Sequence, residues 1–211
     1  MVNFGKAFTY IFDDERWFDK LIIPLLVSLI PVVGQFAMLG YILHTVDNVA
    51  KNELNPLPTF DFGQDLSRGF RYTLISLVYS LPIFVISLLM GLFSRLLNDN
   101  SGAGSFFGFI LIGLLGLIML VYILFLLLAQ PIAMANFAVK NTFASGFEFG
   151  NFYNRLRKNF KAWLMVFGGQ ILTSLIAPIG ILALFVGVLI TGFYGQLFIA
   201  YLTGQAMIAS E

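Results

Sequence analysis

The sequence predicts an all-α, multi-pass helical membrane protein. It reads as one integral-membrane domain over residues 1–211, with about four full spans, an N-terminal re-entrant hairpin and amphipathic interfacial helices. Three observations carry this. Of the residues, 59% are hydrophobic and 11% charged, against about 45–50% and about 25% in a soluble domain; the mean hydropathy is +0.89. Four stretches lack Asp, Glu, Lys and Arg, and each exceeds the roughly 20 apolar residues that a spanning helix needs. Third, the basic residues fall in a few connections, and Lys and Arg accumulate on the cytoplasmic side of membrane proteins.

The first element, near 3–20, places Phe4, Phe8, Ile11 and Phe12 on one helical face, opposite Lys6, Thr9, Asp13 and Arg16. The membrane segment near 21–46 contains Pro24, Pro31 and Gly34, which predict a broken helix. Twenty-six residues are too few for two spans, so the segment reads as a re-entrant hairpin, with one tilted, kinked span as the alternative. Charge favours the hairpin. If the segment returns to its own side, Lys6, Arg16, Lys20, Lys51, Arg68, Arg71 and the five basic residues from Lys140 to Lys161 share that side, leaving Arg95 opposite.

Near 61–71, Phe62, Leu66, Gly69, Phe70 and Thr73 share a face, opposite Gln64, Asp65, Ser67, Arg68 and Arg71. Membrane segments follow near 72–94 and 106–139, the latter carrying Ala129-Gln-Pro-Ile-Ala133 as a candidate break or continuing as helix past Pro131. Near 147–161, Phe149, Phe152, Tyr153, Leu156, Phe160 and Trp163 line one face, away from Asn151, Asn154, Arg155, Arg157 and Lys158. The last charge-free stretch divides at Ala177-Pro-Ile-Gly180 into segments near 162–177 and 180–208. Asn3, Asp61 and Glu148 precede the three amphipathic elements, where Asn and Asp cap helices and Glu favours the positive helix end. Such elements suit the membrane interface, with Trp17 and Trp163 where the chain turns inward and Arg155, Arg157, Lys158 and Lys161 against lipid headgroups.

A net charge of +1 supplies no basic field for nucleic acid. No Cys is present, so disulfides, thiolate metal sites and a Cys nucleophile are excluded. The first residues lack the pattern of a cleaved signal.

The run Gly40-Tyr41, then Leu57-Pro-Thr-Phe-Asp61, then Gly69 and Tyr79 to Pro82, resembles an uncharacterised prokaryotic membrane family, the domain-of-unknown-function family numbered 4013. The Asp13-Asp-Glu-Arg-Trp17 approach to the first membrane segment is similar too. The resemblance implies a multi-pass membrane protein and carries no catalytic or binding residues.

Chemistry-bearing residues are few. His44 has Asp47 one helical turn away and reads first as a polar residue at the membrane edge, second as a proton-handling pair. The carboxylates of 13–19 read as a charged face paired with Arg16 and Lys20 rather than as a cation site. The apolar segments hold neutral polar residues such as Gln130, Asn136 and Gln170, which a neutral-solute path would use. Gly192, Gln196, Ala200 and Gly204 form an i, i+4 ladder suited to helix packing or oligomerisation. The sequence therefore leads to a non-enzymatic scaffold or accessory subunit of the cytoplasmic membrane, N-terminus cytoplasmic and without cofactor. It would form a homo-oligomer or join other membrane subunits. A transporter or channel for a neutral or lipid-like solute is the alternative, and a membrane enzyme ranks last.

Overall fold

A computed structural model describes residues 2–97, 102–176, 178, 180 and 184–210. The described residues are helical, without strands. Helix α1 (Lys6–Thr9) leads through a 3-10 turn (Tyr10–Asp13) into α2 (Trp17–Val27) and α3 (Val33–Ala50). Two long helices follow, α4 (Phe62–Leu97) and α5 (Gly102–Lys140); then come α6 (Phe149–Lys158), α7 (Phe160–Ile176) and α8 (Leu184–Ala209). The chain divides into two compact units, Met1–Ile75 with Pro131–Glu211, and Ser76–Gln130.

In the first unit α8 packs along α3 and α7. Glycines set these approaches: a Cβ on Gly204 would lie 2.6 Å from Val49 of α3, and one on Gly169 of α7 would meet Leu202. The N-terminal turns lie on α8 as well. Phe4 and Phe8 pack on Phe198, Tyr10 stacks on Tyr201 with ring centroids 4.4 Å apart, and the Tyr10 hydroxyl donates to the Leu197 carbonyl at 3.0 Å. The end of α5 enters this core, with Ile132, Ala133, Ala135, Phe137 and Ala138 buried.

Segment 21–46 is two helices rather than one. Pro24 lies inside α2, and the break falls at 28–32, where Val32 takes a φ of 66°. Gly34 allows α3 to fold back, since a Cβ there would clash with the Val27 carbonyl. The Lys20 ammonium donates to the Leu57 carbonyl at 2.7 Å, so the start of α2 and the chain beyond α3 lie together. The segment is an antiparallel hairpin. Its tip is apolar and exposed at Leu29, Ile30, Val32 and Val33, and the 11 residues of α2 rise about 16 Å, half of a hydrocarbon core of about 30 Å.

The expected interfacial segment 61–71 has no boundary of its own but is the first part of α4, which runs through Pro82. Residues 106–139 are likewise one helix past Pro131, so the Ala129–Ala133 stretch is no break. Proline is tolerated in membrane helices because neighbouring groups satisfy the freed backbone. In the first amphipathic segment only short helical turns precede α2, and Ile11 is buried while Phe12 is exposed. The turn expected at Ala177–Gly180 coincides with the end of α7, but residues 177 and 179 lie outside the described residues.

In the unit Ser76–Gln130 the Tyr122 hydroxyl donates to the Tyr79 carbonyl at 2.8 Å. Most large apolar side chains of this unit are exposed, among them Phe84, Leu88, Phe109 and Leu120.

Candidate functional site

Helices α3 and α4 cross with two glycines in the contact. A Cβ on Gly40 would meet the backbone of Asp65, and one on Gly69 would fall 2.8 Å from the Gly40 nitrogen. The crossing leaves no room for side chains, so the residues one turn away on each helix are forced together. These are polar. Asp47, Asp65 and Arg68 are buried. The Arg68 guanidinium donates to the Ala138 carbonyl of α5 and lies 3.4 Å from the Asp47 carboxylate, which Lys51 also reaches at 2.9 Å. Arg71 donates to the Asn141 carbonyl at 3.2 Å and to its side-chain oxygen at 3.0 Å. Three helices are thus tied at one end by two arginines.

His44 does not pair with Asp47. Its Nδ1 lies 3.7 Å from Oδ1 of Asp65, an oxygen with no hydrogen-bond partner, while the other Asp65 oxygen accepts from the Asp61 backbone at 3.0 Å. Asp47 turns instead to Lys51 and Arg68. Nearby, the buried Tyr41 hydroxyl also lacks a partner. A cavity of about 390 Å³ opens here, lined among others by His44, Asp65, Arg68, Arg71 and Asn141. The polar face expected to meet water is therefore partly the protein-facing side of α4, and Phe62 and Phe70 are the exposed ones. In lipid that is the stable arrangement, because apolar side chains lose nothing by facing acyl chains and ion pairs gain by leaving them.

The second polar site lies on α6. Glu148 precedes the helix but does not cap it; its carboxylate accepts from Lys140 at 2.6 and 2.8 Å and from Asn151. The Lys140 hydrogen bond holds its pKa below the usual carboxylate value, against a smaller upward push from burial. Arg155 turns inward, donating to Asn136 at 3.0 Å and reaching the Met207 carbonyl at 3.4 Å near the end of α8. Arg157, Lys158 and Lys161 stay exposed, as do Phe149, Tyr153 and Phe160 on another side. A cavity of about 520 Å³ is lined by Asn151, Asn154, Arg155, Arg157, Lys158 and Ser210.

Asp61 caps α4 as expected, accepting from the Gln64 backbone nitrogen at 3.0 Å; Asn3 accepts from the Lys6 nitrogen at 2.9 Å but stands two residues before Gly5, which immediately precedes α1. Among the carboxylates of 13–19, Asp14 pairs with Lys20 at 2.6 Å and Asp13 with Lys6 at 2.7 Å. Burial raises the Asp14 pKa, but hydrogen bonds from Lys20 and the Arg16 backbone outweigh it and leave it lowered. Trp163 is not interfacial; it is 1% exposed in the core. The helix ladder is split. Ala200 is buried and Gly204 packs on α3, whereas Gln196 is exposed and a Cβ on Gly192 would meet open space. Gly195, which the ladder omits, is the residue that abuts Thr173 of α7. None of the cavities at these two sites is lined by Gln130, Asn136 or Gln170.

Among the described residues three helices are long and apolar enough to cross a bilayer, Phe62–Arg95, Gly104–Lys140 and Gly187–Ala209, beside the shorter apolar Phe160–Ile176. With buried ion pairs and exposed apolar faces, these define a multi-pass helical membrane protein. The chain belongs to DUF4013, a family of proteins of unknown function, whose profile matches residues 23–193. No curated protein and no solved structure matches it.

Proposed function

We propose that this protein is a non-enzymatic scaffold or accessory subunit of the cytoplasmic membrane, with its N-terminus on the cytoplasmic side. It associates through its membrane helices with its own copies or with other membrane subunits. The observation that supports this reading is a set of glycines that pack against nothing. A Cβ on Gly91, Gly113 or Gly116 would meet no atom within 4 Å. A helical glycine is disfavoured by about 0.5–1 kcal/mol relative to Ala, and small residues on apolar helices are where membrane helices approach one another. Elsewhere in this chain, glycines such as Gly40, Gly69, Gly169 and Gly204 do accept a neighbour. The helices that carry the open glycines are also the least covered: the most apolar windows of α4 and α5 are 11% and 6% buried, against 56% in α8.

The polar groups support a structural role. Arg68 is engaged with α5 and Arg71 with Asn141 just beyond it, and Asn136, one residue of a conceivable neutral-solute path, is engaged by Arg155.

The test exploits the absence of cysteine. A Leu114→Cys variant in native membranes is expected to form a disulfide-linked or crosslinked species larger than one chain. Gly113→Leu with Gly116→Leu is expected to abolish that species while the protein stays folded. A lone monomer, both in membranes and after mild extraction, overturns the proposal. For orientation, impermeant thiol reagents should reach Lys51→Cys and Arg155→Cys from the cytoplasmic side and Arg95→Cys from the other; labelling Lys51→Cys and Arg155→Cys from opposite sides overturns the layout.

A further inference from the structure

The cavity beside the α3–α4 crossing is lined by two arginines and one carboxylate that do not neutralise one another. Arg68 is matched, by Asp47 and the Ala138 carbonyl. Arg71 meets the Ser67 and Asn141 carbonyls and the Asn141 side-chain oxygen, at 3.4, 3.2 and 3.0 Å, and no carboxylate among the described residues. A guanidinium carries five N–H groups, so these bonds leave donors over. Asp65 is unmatched in the opposite sense. It is 1% exposed; one carboxylate oxygen accepts from the Asp61 backbone, and Oδ1 has no hydrogen-bond partner. His44 covers Oδ1 at 3.7 Å, beyond hydrogen-bond reach. A carboxylate oxygen left unmet inside a protein is costly. At about 390 Å³ the cavity falls within the size range of small-ligand sites.

The same turns of α4 carry an apolar face. Phe62, Phe70 and Leu74 are exposed, and Phe36 of α3 packs edge-on against Phe70 with ring centroids 5.6 Å apart. A polar cavity and exposed aromatic rings on the same few turns mark the depth at which a helix passes from headgroups into acyl chains. A molecule seated here would meet one cation, one anion and, beside them, a surface for hydrocarbon.

We infer that this cavity binds the zwitterionic headgroup of phosphatidylethanolamine, its primary ammonium donating to Oδ1 of Asp65 and its phosphate accepting from Arg71. Both contacts are charge-assisted hydrogen bonds, and the guanidinium fork suits a phosphodiester. His44 makes no hydrogen bond to the described residues, so its ring turns aside to admit the ammonium. Choline cannot replace ethanolamine here, because its nitrogen has no N–H to donate. Phosphatidylglycerol brings the phosphate but no cation for Asp65. Free glycerophosphoethanolamine shares the polar chemistry and has no use for the adjoining apolar face. The inference depends neither on the association proposed above nor on the basic residues of α6.

The test is native mass spectrometry of the intact protein in a neutral maltoside detergent. It is titrated separately with phosphatidylethanolamine, its mono- and dimethylated forms, phosphatidylcholine and phosphatidylglycerol. In the unaltered protein retention is expected to fall as methyl groups replace N–H, with phosphatidylethanolamine held roughly tenfold more tightly than phosphatidylcholine, the scale of one charge-assisted hydrogen bond. It should also be held more tightly than phosphatidylglycerol. Asp65→Asn, whose amide oxygen can keep the bond from Asp61, should remove the difference between ethanolamine and choline lipids. Arg71→Gln should weaken both alike, since both carry the phosphate. Arg16→Gln, which removes an equal charge outside the cavity, should leave retention within about twofold. The lipid series on the unaltered protein decides even where a variant fails to fold. Equal retention of the ethanolamine and choline lipids, tighter binding of phosphatidylglycerol, a preference that survives Asp65→Asn, or equal loss in Arg16→Gln would each overturn the inference. Displacement of the lipid by millimolar glycerophosphoethanolamine would overturn it too, and would assign the cavity to a soluble zwitterion.

Discussion

Replacing Gly40 by Ala adds a single carbon to a helix and should nonetheless weaken the whole protein. The new Cβ would run into the Asp65 carbonyl group and also sit 2.6 Å from the Asp65 Cα, where carbon atoms rest about 3.5–4.0 Å apart. Helices α3 and α4 must therefore part by more than about 1 Å. The obstacle is backbone, which cannot swing aside as a side chain can, so the cost belongs at the upper end of the about 1–3 kcal/mol typical of overpacking. Better helix propensity returns up to about 1 kcal/mol, leaving a net loss of about 2 kcal/mol. For a chain of this size that lowers the unfolding midpoint by about 4–8 °C. Gly69→Ala should behave alike, and the double variant should lose little more than either single one, because parting the helices once admits both methyl groups. The assay is the fraction of protein that survives a temperature series as a monodisperse peak in size-exclusion chromatography. Gly168→Ala is the control, with open space around its added carbon and an expected change of zero or a small gain. Equal midpoints for Gly40→Ala and Gly168→Ala would refute the reasoning.

Two further outcomes follow from the ion pairs. Arg68→Met leaves the Asp47 carboxylate buried beside Lys51 alone and should cost about 3–5 kcal/mol, whereas Arg68→Met with Asp47→Leu should recover most of it; thermal midpoints of the three proteins decide. Glu148 has a depressed pKa in the folded chain, so its pair with Lys140 stabilises above the ordinary carboxylate value of 4.5 and is lost as pH falls through the lower folded value. Glu148→Gln should therefore be less stable than the parent near neutrality and approach it as the pH falls well below the ordinary carboxylate value, as followed by proteolysis between α5 and α6.

The long apolar helices were legible in the sequence because absence of charge over twenty or more residues has few other causes. The same was true of Asp61 at the start of α4 and of the returning course of 21–46, which the distribution of lysine and arginine indicated. What the sequence hid was the direction of faces. Periodicity shows that Asp65 and Arg68 lie opposite Phe62 and Phe70, but not which side meets protein, because lipid and protein core are both apolar. The partner of His44 was hidden for a related reason. Asp47 is one turn away in sequence, whereas Asp65 arrives through the Gly40–Gly69 crossing, a contact between distant segments. Helix continuity through Pro82 was expected, since 72–94 read as one segment, whereas at Pro131 the sequence left a break and a continuing helix both open, because proline signals a break most strongly where water competes for the backbone. Gly195 was missed because it lies one residue off a ladder drawn from spacing alone.

The bond from Lys20 to Leu57 joins positions 37 apart, and this bears on the order of assembly. Until residue 57 has left the ribosome, Lys20 has Asp14 as its partner and lacks the carbonyl that ties it to the chain beyond α3. A short greasy rod of 11 residues is then too brief to stop in the bilayer by itself. The base of the α2–α3 hairpin is therefore latched last, by a lysine that closes onto chain made after both of its helices.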